Sequence, residues 1–256
     1  MIHPTAVVDP SAQLDDAVEV GPYAIVGADV SVGHGTRIGP HVVLNGPSVI
    51  GRDNRIFQFA SVGEAPQDKK YGGEPTTLII GDRNVIRESA TLHRGTVQGG
   101  GETRIGDDNL FMAYTHVAHD CLIGDRVIMA NAASLGGHVV IEDWAILGGF
   151  TVVHQFCRIG AHSFSAMGSV IGKDVPPYVT IDGHPAVPRG INSEGLKRRR
   201  FSSEQINAIR RAYRLLYLSN LKLDEANQAL ADLAEAEPVV GVLTAFLSAS
   251  ARSIVR

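Results

Sequence analysis

Residues 123–147 read IGDRVIMANAASLGGHVVIEDWAIL, with a large apolar side chain at every sixth position: Ile123, Met129, Leu135, Ile141 and Leu147. Outward from that stretch, the spacing runs back through Val117, Phe111 and Ile105. It runs forward through Val153, Ile159 and, past the exception Ser165, Ile171. An earlier block keeps the same period unbroken from Ile2, Val8 and Leu14 to Ile50, Ile56 and Val62, and again at Ile80, Ile86 and Leu92. A period of six fits neither a helix nor an amphipathic strand. It fits a prism in which each hexapeptide is one short strand plus one corner. Three hexapeptides then close a coil, the aliphatic residue points to the axis, and successive coils pair as parallel strands. The fourth residue after the aliphatic one is commonly small or β-branched (Ala24, Thr36, Val42, Val127, Ala133, Thr151, Ser163), as a crowded interior corner requires. The 28 glycines, many directly after the aliphatic residue, point to many tight corners.

Two stretches cannot keep the period, 64–79 with PQDKKYGGEP and 95–104 with QGGGE, and both are expected to protrude as loops. Past Pro176 and Pro177 the repeat stops. Ser202 with Gln205 reads as a capping box, ahead of an apolar stripe of Ile206, Ile209, Tyr213, Leu216 and Tyr217. Further helices are expected over Leu223–Ala236 and Pro238–Val255. The division is thus coils over 1–190 and a helical domain over 191–256. Solenoid ends and flat faces need covering, so a helical cap and a homotrimer are expected.

The formal net charge of −4 argues against a general nucleic-acid binder. No stretch is apolar for the ~20 residues a membrane span needs, and only Cys121 and Cys157 are present, so a soluble chain in the reducing cytoplasm is expected. Both cysteines take the small interior corner position, which reads as packing. His34, His41 and His162 read as surface positions of the coils, and His3 lies near the terminus.

Residues 18 apart lie one coil apart, so His119, Gly137 and Gln155 form one external column and Asp120, His138 and Phe156 the next. At an inter-strand spacing of ~4.8 Å, an imidazole, a bare backbone and an amide share one face beside two more titratable groups. That constellation reads as a substrate groove. The segments QFASVGE, QDKKYGGEPT, HRGTVQGGG, AHDC, VHQFCRIGAH, DVPPY and EGLKRR resemble the UDP-N-acetylglucosamine O-acyltransferases of lipid A biosynthesis, over nearly the whole chain and including both loops.

The resemblance implies a left-handed parallel β-helix of hexapeptide repeats with a C-terminal α-helical domain. It implies transfer of an (R)-3-hydroxyacyl chain from acyl carrier protein to the glucosamine 3-hydroxyl of UDP-N-acetylglucosamine, with no cofactor and no metal. His119 would be the general base, Asp120 its orienting partner, and the Gly137 N–H an oxyanion donor. Gln67, Asp68 and Lys70 in the first loop, with His116, His138 and Gln155, would position donor and acceptor. Asn192, Glu194, Arg198 and Arg199 would hold the nucleotide. The basic run from Lys197 to Arg200, with Arg210 and Arg211, would steer the acidic carrier protein. Met167 would floor the acyl pocket and select a chain of about ten carbons. Three rivals stand beside this reading. One is a zinc lyase of the carbonic-anhydrase type using His116, His119 and His138. The others are the pathway's N-acyltransferase, which would carry an additional N-terminal domain, and a non-catalytic sugar-nucleotide scaffold.

Overall fold

The computed structural model describes residues 1–250 and 252–256. Its strands are mostly two residues long and form three parallel sheets, the faces of a triangular prism. Face 1 runs from Val7–Val8 to Val170–Ile171, face 2 from Gln13–Leu14 to Arg158–Ile159, and face 3 from Glu19–Val20 to Val179–Gly183. Register follows the period: Val117 pairs with Leu135 and Leu135 with Val153, one coil apart. The axial residues, Phe111, Met129, Leu135 and Leu147 among them, are almost fully buried. Each such side chain contributes about 1.5–3 kcal/mol, so the stack is stabilised along its whole length.

The one-coil spacing, though not the pairing, is interrupted at one place on two successive coils. Val62 pairs with Leu92 and Leu92 with Val117, because a loop leaves the edge between faces 1 and 2 after Glu64 and another after His93. Both loops therefore rise from the same edge. The second contains a short 3-10 turn, Val97–Gly99, capped by the Thr96 hydroxyl.

Four features differ from the sequence expectations. First, three interior corners hold asparagine. Asn54, Asn84 and Asn109 stack as a buried ladder, the backbone N–H of Asn84 donating to Asn54 Oδ1 at 2.8 Å and that of Asn109 to Asn84 Oδ1 at 2.9 Å. The amides of Asn54 and Asn84 also donate to the Gly81 and Gly106 carbonyls, which offsets the cost of burying them, whereas Asn109 Nδ2 at the end of the ladder has no partner among the described residues. Second, the left-handed corners are mostly filled by residues with side chains, such as Asp120 (φ 61°) and His138 (φ 60°). The glycine after the aliphatic residue instead answers to crowding: a Cβ on Gly81 would sit 2.1 Å from Asp107 Oδ1. Third, chain pairing outlasts the repeat. Val179–Gly183 continues face 3, and Ala186–Ile191 returns antiparallel to it. Fourth, the last helix is shorter than expected.

The helices are α1 (Ser193–Arg198), α2 (Ser203–Tyr217), α3 (Leu223–Ala236) and α4 (Gly241–Ala249). The Ser202–Gln205 capping box forms as read. The expected Pro238–Val255 helix includes Ala251, which lies outside the described residues. The chain is already extended at Ser250, and Ile254 pairs with Asp174, so Val255 reaches the prism core. Ser165, the break in the axial series, is buried against Thr151, hydroxyl to hydroxyl at 2.9 Å. His34 and His41 are exposed as read, whereas His3 is tied into the first coil by its N–H to Val20.

Candidate active site

At the edge between faces 1 and 2, each coil contributes two corner residues, and the second has positive φ. In consecutive coils these pairs are His119–Asp120, Gly137–His138 and Gln155–Phe156. One-coil spacing lays His138 flat on Phe156, with centroids 4.4 Å apart and planes 8° from parallel. His119 meets His138 edge to face at 5.2 Å. Its ring lies over bare backbone: a Cβ on Gly137 would come within 2.5 Å of His119 Cε1 and 2.8 Å of Nε2. Among the described residues, the Gly137 N–H has no acceptor.

His119 Nδ1 lies 2.6 Å from Asp120 Oδ2. An ionised carboxylate only accepts, so Nδ1 carries the proton and the Nε2 lone pair is free. The Asp120 carboxylate is shut off from solvent, whereas His119 and His138 keep 15% and 23% of their side-chain surface. What replaces water around Asp120 comes from the second loop and from the face 2 strand that follows it, Glu102–Ile105. Thr96 donates its N–H to Oδ1 and its hydroxyl to Oδ2, both at 2.7 Å, and the Asp120 N–H donates to Thr103 Oγ1 at 2.8 Å. Sequence reading missed Thr96 and Thr103, which fall where the repeat is broken. The HRGT context of the loop was the available signal.

The surrounding imidazoles are driven neutral. Burial, and then the neighbouring His116 ring, push His93 down to about 4. His116 is lowered by burial and by His119, and its Nδ1 pairs with Thr91 Oγ1 at 2.7 Å. Burial also lowers His138, against the pull of Asp120 and of Asp68, which the first loop brings close enough to act on it. Gln67, Lys70 and the Gln155 side chain are exposed on this edge with free polar heads among the described residues.

His119, Asp120 and His138 place potential ligand atoms within 4.8 Å of one another. A tetrahedral zinc with bonds of about 2.0–2.1 Å holds its ligands roughly 3.3 Å apart. The 2.6 Å contact is that of a hydrogen bond, and both Asp120 oxygens already hold Thr96. The geometry is that of an acid–base pair, and His116 is not among the grouped ligands.

The remaining sequence candidates lie on other edges. Met167 is 78% exposed on the edge between faces 3 and 1, an edge that also exposes Phe150 and Tyr114 on earlier coils. Asn192, Glu194, Arg198 and Arg199 are by the edge between faces 2 and 3. There Asn192 caps α1 and donates to the His162 carbonyl, Glu194 pairs with Lys197, and Arg198 is exposed. The Arg199 guanidinium donates to the Trp144 carbonyl at 2.8 Å and lies 3.1 Å from His162 Nδ1. His162 is accordingly no free surface residue. It is stacked between Trp144 and Tyr178 and pushed down to about 4 by burial and then by Arg199, because Tyr178, Arg199 at the end of α1 and Phe201 cover its corner.

Known proteins resemble this chain in sequence and fold. Residues 174–255 match the model for domain 2 of UDP-N-acetylglucosamine O-acyltransferase, and 11–46 match the bacterial transferase hexapeptide repeat. The acyl-(acyl-carrier-protein)–UDP-N-acetylglucosamine O-acyltransferases of Herminiimonas arsenicoxydans and Halorhodospira halophila are 58% and 60% identical, each aligned over 100% of this chain and 99% of its own length. This chain belongs to the UDP-N-acetylglucosamine O-acyltransferase family. The crystal structure of the Francisella novicida member superposes with a TM-score of 0.98 at 42% identity, covering 100% of this chain and 94% of that one. Membership accounts for the left-handed β-helix with its helical tail and argues against the lyase reading.

Proposed function

We propose that this protein transfers an (R)-3-hydroxyacyl chain from acyl carrier protein to the glucosamine 3-hydroxyl of UDP-N-acetylglucosamine, the opening step of lipid A biosynthesis in the cytoplasm. The observation that carries the mechanism is the free His119 Nε2, backed by the buried Asp120. His119 Nε2 takes the hydroxyl proton as the sugar oxygen attacks the thioester carbonyl carbon. The Gly137 N–H stabilises the resulting oxyanion. Collapse expels the carrier thiolate, which recovers the proton from the imidazolium, leaving an ester and a free thiol. No acyl-enzyme forms: burial raises the Cys121 thiol to about 12 and the Cys157 thiol to about 11, away from any thiolate chemistry at neutral pH.

His116, His138, Gln155, Gln67, Asp68 and Lys70 position donor and acceptor at this edge. Arg198 grips the diphosphate with Asn192, Glu194 and Arg199 around it, and the Lys197–Arg200 run with Arg210 and Arg211 draws in the carrier protein. Met167 sets a chain length of about ten carbons. Edges of one prism are separated by six residues of chain, a contour of up to ~20 Å, so a cleft that uses all these residues draws on more than one copy. Face 1 supports the homotrimer. Its outward positions Val7, Ile25, Val43, Ser61, Thr91, His116, Ser134, Val152 and Val170 carry no Asp, Glu, Lys or Arg, and Val7, Ile25 and Val152 are exposed. Incubation with UDP-N-acetylglucosamine and a panel of 3-hydroxyacyl carrier proteins, with products weighed by mass spectrometry, tests the proposal. A 3-O-acylated sugar nucleotide is expected, and its absence with every donor would refute the activity.

A further inference from the structure

We infer that Thr96 is a positioning residue for acyl transfer, one that holds the Asp120 carboxylate aimed at His119 Nδ1. The inference rests on the reading of His119 as general base. The Asp120 carboxylate has no solvent exposure, and a buried polar group needs fixed hydrogen-bond donors in place of its hydration. Thr96 supplies two of them, one per oxygen: its N–H to Oδ1 and its hydroxyl to Oδ2. Two donors from one residue fix the plane of the carboxylate, so Oδ2 faces the imidazole.

Thr96 is itself immobilised. It is 1% exposed and caps the turn Val97–Gly99, and its carbonyl accepts the Gly101 N–H at 2.8 Å. The Gly99 N–H approaches the Thr96 hydroxyl oxygen at 3.3 Å, which leaves the hydroxyl proton for Asp120. The turn is packed tightly onto its target. A Cβ on Gly99 would lie 2.0 Å from Asp120 Cγ, so only glycine admits this contact. One coil further on, where no loop is inserted, the equivalent corner residue His138 keeps its access to solvent. The second loop is thus the wall that dries and orients Asp120.

The test is a double-mutant cycle on the full-length protein, with UDP-N-acetylglucosamine and acyl carrier protein as substrates. Thr96→Val keeps shape and backbone donor and removes only the hydroxyl. It is expected to lower kcat by about ten- to a hundredfold, the worth of one hydrogen bond to a charged group, with KM held within about twofold. Thr96→Ser is expected to restore kcat to within about threefold of the parent. In an Asp120→Ala background, Thr96→Val should cost less than about twofold, because Thr96 acts through that carboxylate. A parent-like kcat in Thr96→Val, failure of the serine variant to rescue, or an equal loss in the Asp120→Ala background would each overturn the inference. Thr96→Ala serves as second variant should valine prevent folding, with the same expectations. His119→Ala, run alongside, separates the two claims. If it keeps parent turnover, the general-base reading fails; if it is inactive while Thr96→Val is parent-like, only Thr96 is refuted.

Discussion

His138 and His162 occupy equivalent left-handed corners of the same prism, yet the chemistry around them diverges. His162, between faces 2 and 3, is stacked on both sides, faced by Arg199 and Phe201, and held neutral. His138, between faces 1 and 2, is stacked on one side only and looks onto Asp120 and Asp68. The backbone treats the two alike. What differs is the cover: Tyr178, Phe201 and Arg199 at the end of α1 close over His162, whereas the two loops frame His138 and leave it open. A solenoid fixes where side chains stand, and its insertions decide which of them do chemistry.

Gly137→Ala is the harshest probe of the open edge. Its Cβ would displace the His119 ring, and kcat is expected to fall at least about 10²-fold, on the scale of losing the general base, while the melting temperature holds. An active variant would show that the ring has room to retreat. At the closed edge, Arg199→Gln should destabilise the fold by about 1–3 kcal/mol, the cost of orphaning buried acceptors, measured by urea denaturation. Arg198→Gln should leave stability unchanged and raise KM for the sugar nucleotide. Equal effects of the two would erase the distinction between clamp and ligand.

A smaller effect comes from pH. Folded His162 titrates at about 4 against 6.5 for a free ring, so the unfolded chain binds the proton first as pH falls. Its contribution is intact above pH 6.5 and is lost progressively down to about 4. The stability gap between parent and His162→Gln should therefore be wider at about pH 7.5 than at about pH 5. His93 titrates in the same window but is common to both proteins and cancels. A gap independent of pH would mean that the ring is not held neutral. Met167→Gly should shift donor preference toward longer chains by about tenfold per methylene, the low end of what one pocket methylene is worth, read as kcat/KM across donors; an unchanged preference would remove Met167 as the ruler.

The period was enough to place the prism and, through its spacing of one coil, to bring His119, Gly137 and Gln155 into line before any coordinates. It failed where structure depends on contacts across coils. The buried asparagines look like misfits in a row of small residues until each amide is seen to serve the next coil. The return strand after Pro177 has no six-residue signature, since it pairs antiparallel. Thr96 sits in an insertion whose path no period dictates, and Thr103 in the strand Glu102–Ile105 that re-enters the prism after it. His162 read as a surface corner because Arg199 and Phe201, which help to cover it, lie more than twenty residues further along the chain.

Single-turnover transfer by His119→Gln, with sugar-nucleotide binding measured on the same sample, reaches the core of the mechanism. Glutamine keeps polarity near Gly137 but cannot act as the base. Binding should stay within about twofold while the rate falls at least ~10²-fold, the lower bound of a general-base contribution. A rate within tenfold of the parent at undiminished binding would contradict the account.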